Sequence, residues 1–282
     1  MNFTIVSLTF RSLLGRKRSL LLIPLPLILI ALTWLGRATA EYASDWQKPV
    51  IIGIGFAVVV PLLALIVGSS VLGSEIDDGT IVHTLTKPLT RREIIFAKYA
   101  VAAVVTAVVS GLTMAICGLI AGSGRIFAHA QGTFDSSGYG TVQAGNGAVI
   151  TGPPGAGYIA LTPAHLSAGR FAFALAVGAI VASLCYCALF LALSVVSRRS
   201  VLIGLIYILI WEGLLGNLLT GTRSLSIEQF AISASAHVAH TPFYSATLSS
   251  PVTIVMSLVF LVGGLWIAID RLRSFAVKGE TA

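Results

Sequence analysis

Six long apolar stretches dominate this chain. Ser19–Gly36, Val50–Leu72, Tyr99–Ile120, Phe171–Val196 and Val252–Ile269 contain no charged residue, and Val201–Leu219 contains only Glu212. Each is 18 to 26 residues long. At a rise of about 1.5 Å per residue, about 20 residues carry a helix across the ~30 Å hydrocarbon layer of a bilayer. A water-soluble fold has no use for six such segments. Backbone polar groups in hydrocarbon must be satisfied within their own segment, so the segments are expected to be helices. The short alternating segments of a membrane β-barrel are not visible. The expected fold class is all-α: a polytopic integral membrane protein of six transmembrane helices with both termini cytoplasmic.

Charge supports this and sets an orientation. Only 10% of residues are charged, against about 25% in soluble domains. The net charge of +7 would suit nucleic acid, but its distribution argues against that reading. With the N-terminus inside, the inner segments hold Arg11, Arg16, Lys17, Arg18, Lys87, Arg91, Arg92, Lys98, Arg198, Arg199, Arg271, Arg273 and Lys278. The outer ones hold Arg37, Lys48, Arg125, Arg170 and Arg223. The 18 bases therefore split 13 to 5, a positive-inside pattern that also draws the inner face to anionic headgroups. The three cysteines, Cys117, Cys185 and Cys187, all fall inside spans and imply no disulfide framework. Cys185 and Cys187, two apart on a helix, point to different faces and serve one metal ion poorly. Ala38-Thr39-Ala40 has the form of a signal-peptidase site, but the residues before the first apolar run are too many and too apolar for a charged leader region.

The chain divides into residues 1–18, an amphipathic interfacial helix; residues 19–270, the transmembrane domain; and a cytoplasmic tail, 271–282. In the first segment Phe3, Val6, Phe10, Leu13 and Leu14 recur at helical spacing, with Arg11 away from them and Arg16-Lys17-Arg18 at its end. The alternative is a plain positive-inside anchor. The spans are expected at about 19–36, 50–72, 97–121, 168–196, 201–219 and 251–270. Pro24 and Pro26 in the first and Pro61 in the second are expected to kink them. The inside loop 73–96 carries the turn signal Asp78-Gly79, a short helix over Ile76–Thr86 and a capping box, Thr90-Arg91-Arg92-Glu93, that starts a new helix near Arg91. The outside loop 122–167, rich in glycine and proline, is expected to be mostly irregular. Ser226-Ile227-Glu228-Gln229-Phe230 starts a short external or re-entrant helix before the last span.

No catalytic constellation is present. There is no nucleotide-binding G-x-x-x-x-G-K-S/T, no H-E-x-x-H and no G-x-S-x-G. All five histidines are expected in loops. His237 and His240 share a helical spacing but lack further ligands, so no metal site and no catalytic residue is assigned. Two features stand out. One is the inside loop, where a short helix at the membrane face either docks on a cytoplasmic partner or is a solvated connector. The other is Glu212. A mid-span carboxylate costs on the order of 2.5–3.5 kcal/mol on insertion scales. It is read as a translocation-path or proton-relay residue, with Asn217 nearby, as an inter-helix hydrogen bond, or as a residue at the outer interface of a shorter span; Tyr207, Asn217 and a neighbouring backbone carbonyl are its candidate partners.

Glu75 at the end of the second span, then Gly79-Thr80, Leu85, Pro88, Arg91 and Lys98, follow a pattern that resembles the permease subunits of type 2 ABC transporters, largely exporters. Trp211-Glu212-Gly213, Gly221-Thr222-Arg223 and Leu225-Ser226 are similar to a pattern of actinobacterial members. The resemblance implies a membrane permease that forms the translocation path of an ATP-driven exporter and is not itself an enzyme. It implies ATPase coupling through Glu75, Ile76, Asp77, Asp78, Gly79, Thr80, Leu85 and Arg91. It also implies no cofactor on this chain, with ATP and Mg in a partner ATPase. The implied partners are two copies of a cytoplasmic ABC ATPase and a second permease subunit, as a homodimer or heterodimer, in the inner (cytoplasmic) membrane, without nucleic acid. The alternatives are a gradient-driven transporter using Glu212 and a non-transporting membrane scaffold.

Overall fold

The computed structural model describes residues 22–39, 46–77, 91–122, 131–134, 140–143, 149–152, 167–197, 199–215, 220–239 and 246–275. The expectations for Phe3, Phe10, Arg11, Arg16, Asp78, Gly79, Thr80, Leu85 and Asn217 lie outside these residues.

Helix α1 spans Pro24–Thr39. Pro24 and Pro26 fall in its first turn, where the backbone N–H groups have no intrahelical acceptor, so neither ring breaks a hydrogen bond. The expected kink inside the first span is thus corrected to a helix start. The second apolar stretch begins as a π-wound segment, Lys48–Val59, and continues as α2, Val60–Asp77. The Val60 N–H bonds the Gly55 carbonyl, five residues back. Pro61, which lacks an N–H, stands just past this change of winding, and the wider π turn accommodates its ring. A change of pitch replaces the expected kink here too. Helix α2 also takes in Glu75, Ile76 and Asp77; the rest of the short helix expected over Ile76–Thr86 lies outside the described residues.

Helix α3, Arg91–Gly122, starts where the Thr90–Glu93 pattern places it and runs 32 residues, about 48 Å of rise. Helix α4 covers Ala168–Val196, the boundaries expected for the fourth span. Helix α5, Ser200–Ile206, passes into a second π-wound segment, Tyr207–Leu215. A 3-10 turn, Thr220–Leu225, leads to α6, Ile227–Ala239, and α7 spans Ser250–Phe275. At 13 residues α6 is too short to cross a bilayer. It contains His237, which corrects the expectation that every histidine lies in a loop.

The loop 122–167 is not wholly irregular. Strands β1 Gln131–Phe134, β2 Gly140–Gln143 and β3 Val149–Gly152 form an antiparallel sheet in that order. Thr141 pairs with both Thr133 and Thr151, and Val142 with Ile150. These β-branched cross-strand pairs favour strands locally, an effect that the surrounding glycines hide from a composition argument.

Helix α4 is the hub, packed against α2, α3, α6 and α7. Small residues set its contact with α3. A Cβ at Gly118 would lie 2.5 Å from the Ala172 Cα, and one at Gly122 would lie 2.6 Å from the Ala168 Cα. This four-residue spacing of small residues lets two backbones touch, which matters where lipid removes the hydrophobic drive for helix association. Further along, Ser110 and Ser183 share a 2.7 Å hydrogen bond, the Cys187 thiol faces Thr106 Oγ1 at 3.4 Å, and the Tyr99 hydroxyl donates to the Leu184 carbonyl at 3.1 Å. These pairs run in opposite senses, so α3 and α4 are antiparallel. Gly68 meets Phe190 and Gly264 meets Ala188, while Gly73 meets Ser194, so α2 and α7 run parallel to α4. The ends carrying Asp77, Arg92, Val196 and Arg271 therefore share one side of the bundle.

Four helices are long and apolar enough to cross a membrane: Lys48–Gly73, Arg92–Gly122, Ala168–Val196 and Ser250–Leu272. Pro24–Thr39 and Ser200–Gly213 are shorter apolar helices. The expected first and fifth spans, 19–36 and 201–219, each extend into residues outside the described set.

Candidate functional site

A short helix buried in an apolar bundle has a problem at each end. The first N–H groups and last carbonyls of α6 lack intrahelical partners and water is scarce. Glu212 meets the first need. Its side chain is 0% exposed. Oε1 accepts from the Tyr207 hydroxyl at 3.0 Å and from the Ile227 N–H at 3.0 Å. Oε2 accepts from the Ser226 hydroxyl at 2.5 Å and from the Glu228 N–H at 3.4 Å. Ser226 is the N-cap, and its Oγ accepts from the Gln229 N–H at 3.3 Å. A carboxylate against a helix N-terminus is also favoured by the helix dipole. At the other end Arg170 donates to the Val238 carbonyl at 3.2 Å. The flank of α6 is held by Thr247, whose hydroxyl donates to Gln229 Oε1 at 2.9 Å, and by the Leu248 N–H, which donates to Ser233 Oγ at 3.2 Å. His237 Nε2 lies 3.1 Å from the Leu248 carbonyl.

The π winding of Tyr207–Leu215 is what brings Tyr207 to Glu212. Bonds from i to i+5 keep residues five apart on the same side of the segment, where α winding would turn them apart, and these two are five apart. Tyr207 also stacks on Trp211 at 6.5 Å, and the Trp211 Nε1–H donates to the Leu225 carbonyl at 3.3 Å. Glu212 thus forms the inter-helix hydrogen bonds weighed as one of its readings, to Ser226, Ile227 and Glu228, with Tyr207 as a partner within its own segment.

Glu228, Ser226 and Tyr186 are polar residues of this cluster that sequence reasoning did not single out. Glu228 is 2% exposed, and its Oε2 has no hydrogen-bond partner among the described residues; the same holds for the Tyr186 hydroxyl. Burial first, and then the Glu212 charge beside it, push the Glu228 carboxyl up to about 8. The available signal was the capping pattern Ser226-x-x-Gln229 with an acidic residue inside it. It marked a helix start but not the role of Glu228.

At the opposite end of the bundle lies Lys98, also 2% exposed. Its Nζ donates to the Val71 carbonyl at 3.1 Å. A cation bonded to a carbonyl near the C-terminal end of α2 suits the helix dipole, and it ties together the two helices that flank the loop 78–90. Lys98 was part of the family pattern but not among the expected coupling residues. Of the latter, Glu75, Ile76 and Asp77 end α2 and Arg91 begins α3. Cys185 and Cys187 are both buried; the Cys185 thiol faces the Ser257 carbonyl at 3.6 Å on α7, and Cys187 faces α3. They look in different directions, as their spacing requires. Among the described residues no group of three His, Cys, Asp or Glu is placed to hold a metal ion.

Residues 16–147 match the family model described as ABC-2 family transporter protein. The matched part is just under half of the chain and includes α1, α2, α3 and the loop 78–90. It supports an ABC-2 type permease and, with the four helices of span length, a multi-pass membrane protein. No curated protein matches the chain.

Proposed function

We propose that the chain is the membrane-spanning permease subunit of an ATP-driven ABC exporter. It forms the translocation path with a second permease subunit and binds a separate cytoplasmic ABC ATPase, in two copies, which holds the ATP and Mg. Six spans cross the inner membrane with both termini cytoplasmic, and the N-terminal helix with Phe3, Phe10, Arg11 and Arg16 lies on the inner leaflet. The Trp211–Ser226 pattern ties the chain to actinobacterial members.

The observation that carries this reading is the buried Lys98 to Val71 clasp, read with the family match over the same helices. A push on the loop bearing Glu75, Ile76, Asp77, Asp78, Gly79, Thr80 and Leu85, delivered at Arg91, would travel into α2 and α3 as one body. Rigid paired elements of this kind convert a local contact into a two-state movement. The gradient-driven alternative asks Glu212 to exchange protons; the four donors on that side chain favour a holding role, in which Glu212, with Asn217 beyond it, lines the outer end of the path.

The test is affinity purification of the tagged chain from its native membrane. A P-loop ATPase should copurify, and Glu75→Ala should leave ATP hydrolysis in place while cargo movement falls at least several-fold. If no ATPase copurifies and transport is indifferent to nucleotide, this function is wrong.

A further inference from the structure

The two π-wound segments face each other across a cavity of about 550 Å³. One wall is built from Lys48, Pro49, Ile52, Gly53, Ala57 and Val58 of the first π-wound segment, with Leu62 just past its end. The wider turn of π winding keeps residues four and five apart on one side of the segment; an α-helix would spread residues 48 to 58 around its axis. Leu205, Ile208, Leu209 and Gly213 supply the other wall, and Glu228 lines the same space. The lining is apolar except for Glu228 and for Lys48 at the start of its segment.

We propose that this cavity is a binding site for an amphipathic monocation, whose ammonium head pairs with Glu228 and whose hydrocarbon chain lies along the π-wound walls. A carboxylate oxygen that is nine-tenths buried and unbonded among the described residues costs free energy that a donor from a ligand would recover. Glu212 cannot supply that donor, because it is itself an acceptor of Ser226, Tyr207 and the α6 N–H groups. Glu228, whose carboxyl is pushed up by burial and by Glu212, keeps its proton more readily when no ligand is bound; a cationic head releases that proton to solvent and pairs with the carboxylate, whereas an anionic head would face both Glu212 and Glu228. Lys48, exposed at the segment's start, disfavours a second positive group and so selects a single-headed amine over a diamine. The volume suits a molecule of drug size and an apolar body, as ligand cavities of this class do. Assigning the ligand as cargo rests on the permease reading; the binding site itself does not.

The experiment uses the full chain in lipid nanodiscs, without ATPase or nucleotide, and radiolabelled decylammonium as the probe. Wild type should bind it saturably. Decanol and decyl sulfate should displace it at least about tenfold less well, the ratio expected when a charge-assisted hydrogen bond is missing. Glu228→Gln should weaken binding by about tenfold or more. Gly53→Leu is the second variant: a Cβ at Gly53 meets nothing within 4 Å, so the new side chain enters the cavity without disturbing the packing. It should abolish saturable binding at unchanged Tm. Wild-type affinity in either variant, or equal displacement by decanol, overturns the site. Because no nucleotide is present, that failure would leave the exporter reading standing, and failure to recover an ATPase would leave this binding result standing.

Discussion

Glu212 illustrates how a residue that looks expensive in a sequence is balanced by its surroundings. Its insertion cost of on the order of 2.5–3.5 kcal/mol is set against four donors, two of them backbone N–H groups of α6 that would otherwise be orphaned. Removing it leaves the Ser226 hydroxyl and the Ile227 and Glu228 N–H groups short of an acceptor in a buried place. Glu212→Ala is expected to destabilise the folded protein by about 3 kcal/mol or more. Ser226→Ala, which removes one cap and keeps the carboxylate on the backbone, should cost about 1 kcal/mol. Midpoints of denaturant titration in detergent measure both. An E212A midpoint no lower than that of S226A would mean the carboxylate does not hold α6. Of these donors only Tyr207 was legible beforehand: Ser226 and Ile227 lie 14 and 15 residues away, and only the fold brings them under the carboxylate.

At the scale of elements, α6 is anchored at its N-terminus by the π-wound part of the fifth apolar stretch, at its C-terminus by Arg170 and along its length by α4. The last contact depends on a glycine. A Cβ at Gly178 would stand 2.6 Å from the Ala231 carbonyl oxygen and 3.0 Å from the Ser235 Cβ. Backbone cannot give way as a flexible side-chain tip can. Gly178→Ala is therefore expected to lower Tm and to increase hydrogen exchange in α6, despite the higher helix propensity of alanine. Gly263→Ala is the control: its Cβ meets nothing within 4 Å, so Tm should hold or rise slightly. If the two variants behave alike, α6 is not seated on α4 in this way. The helices themselves were readable from apolar length and caps. The two π-wound stretches were not, because nothing in the composition of KPVIIGIGFAVV or YILIWEGLL distinguishes a π turn from an α turn.

For the whole molecule, the shared direction of α2, α4 and α7 and the opposite direction of α3 put Arg92, Lys98 and Arg271 near one face and Lys48, Arg170 and α6 near the other, in keeping with the positive-inside pattern. The native cysteines are buried, so introduced ones report sidedness. A membrane-impermeant maleimide applied to intact cells should label Lys48→Cys and spare Lys278→Cys until the membrane is opened. The reverse labelling would invert the topology and move the Glu228 cavity to the cytoplasmic side.

Apolar length, charge asymmetry and caps are local or additive properties, so the sequence by itself determined a helical membrane protein, the bounds of α4, the start of α3 and the presence of a short helix before the last span. What surrounds Glu212, that Glu228 and Tyr186 join it, that Lys98 clasps α2, and that two π-wound walls border an open cavity were decided only by the tertiary structure. Each depends on residues far apart in the chain meeting in a medium where every polar group must find a partner, and pairings of that kind leave no periodic trace in a one-dimensional pattern.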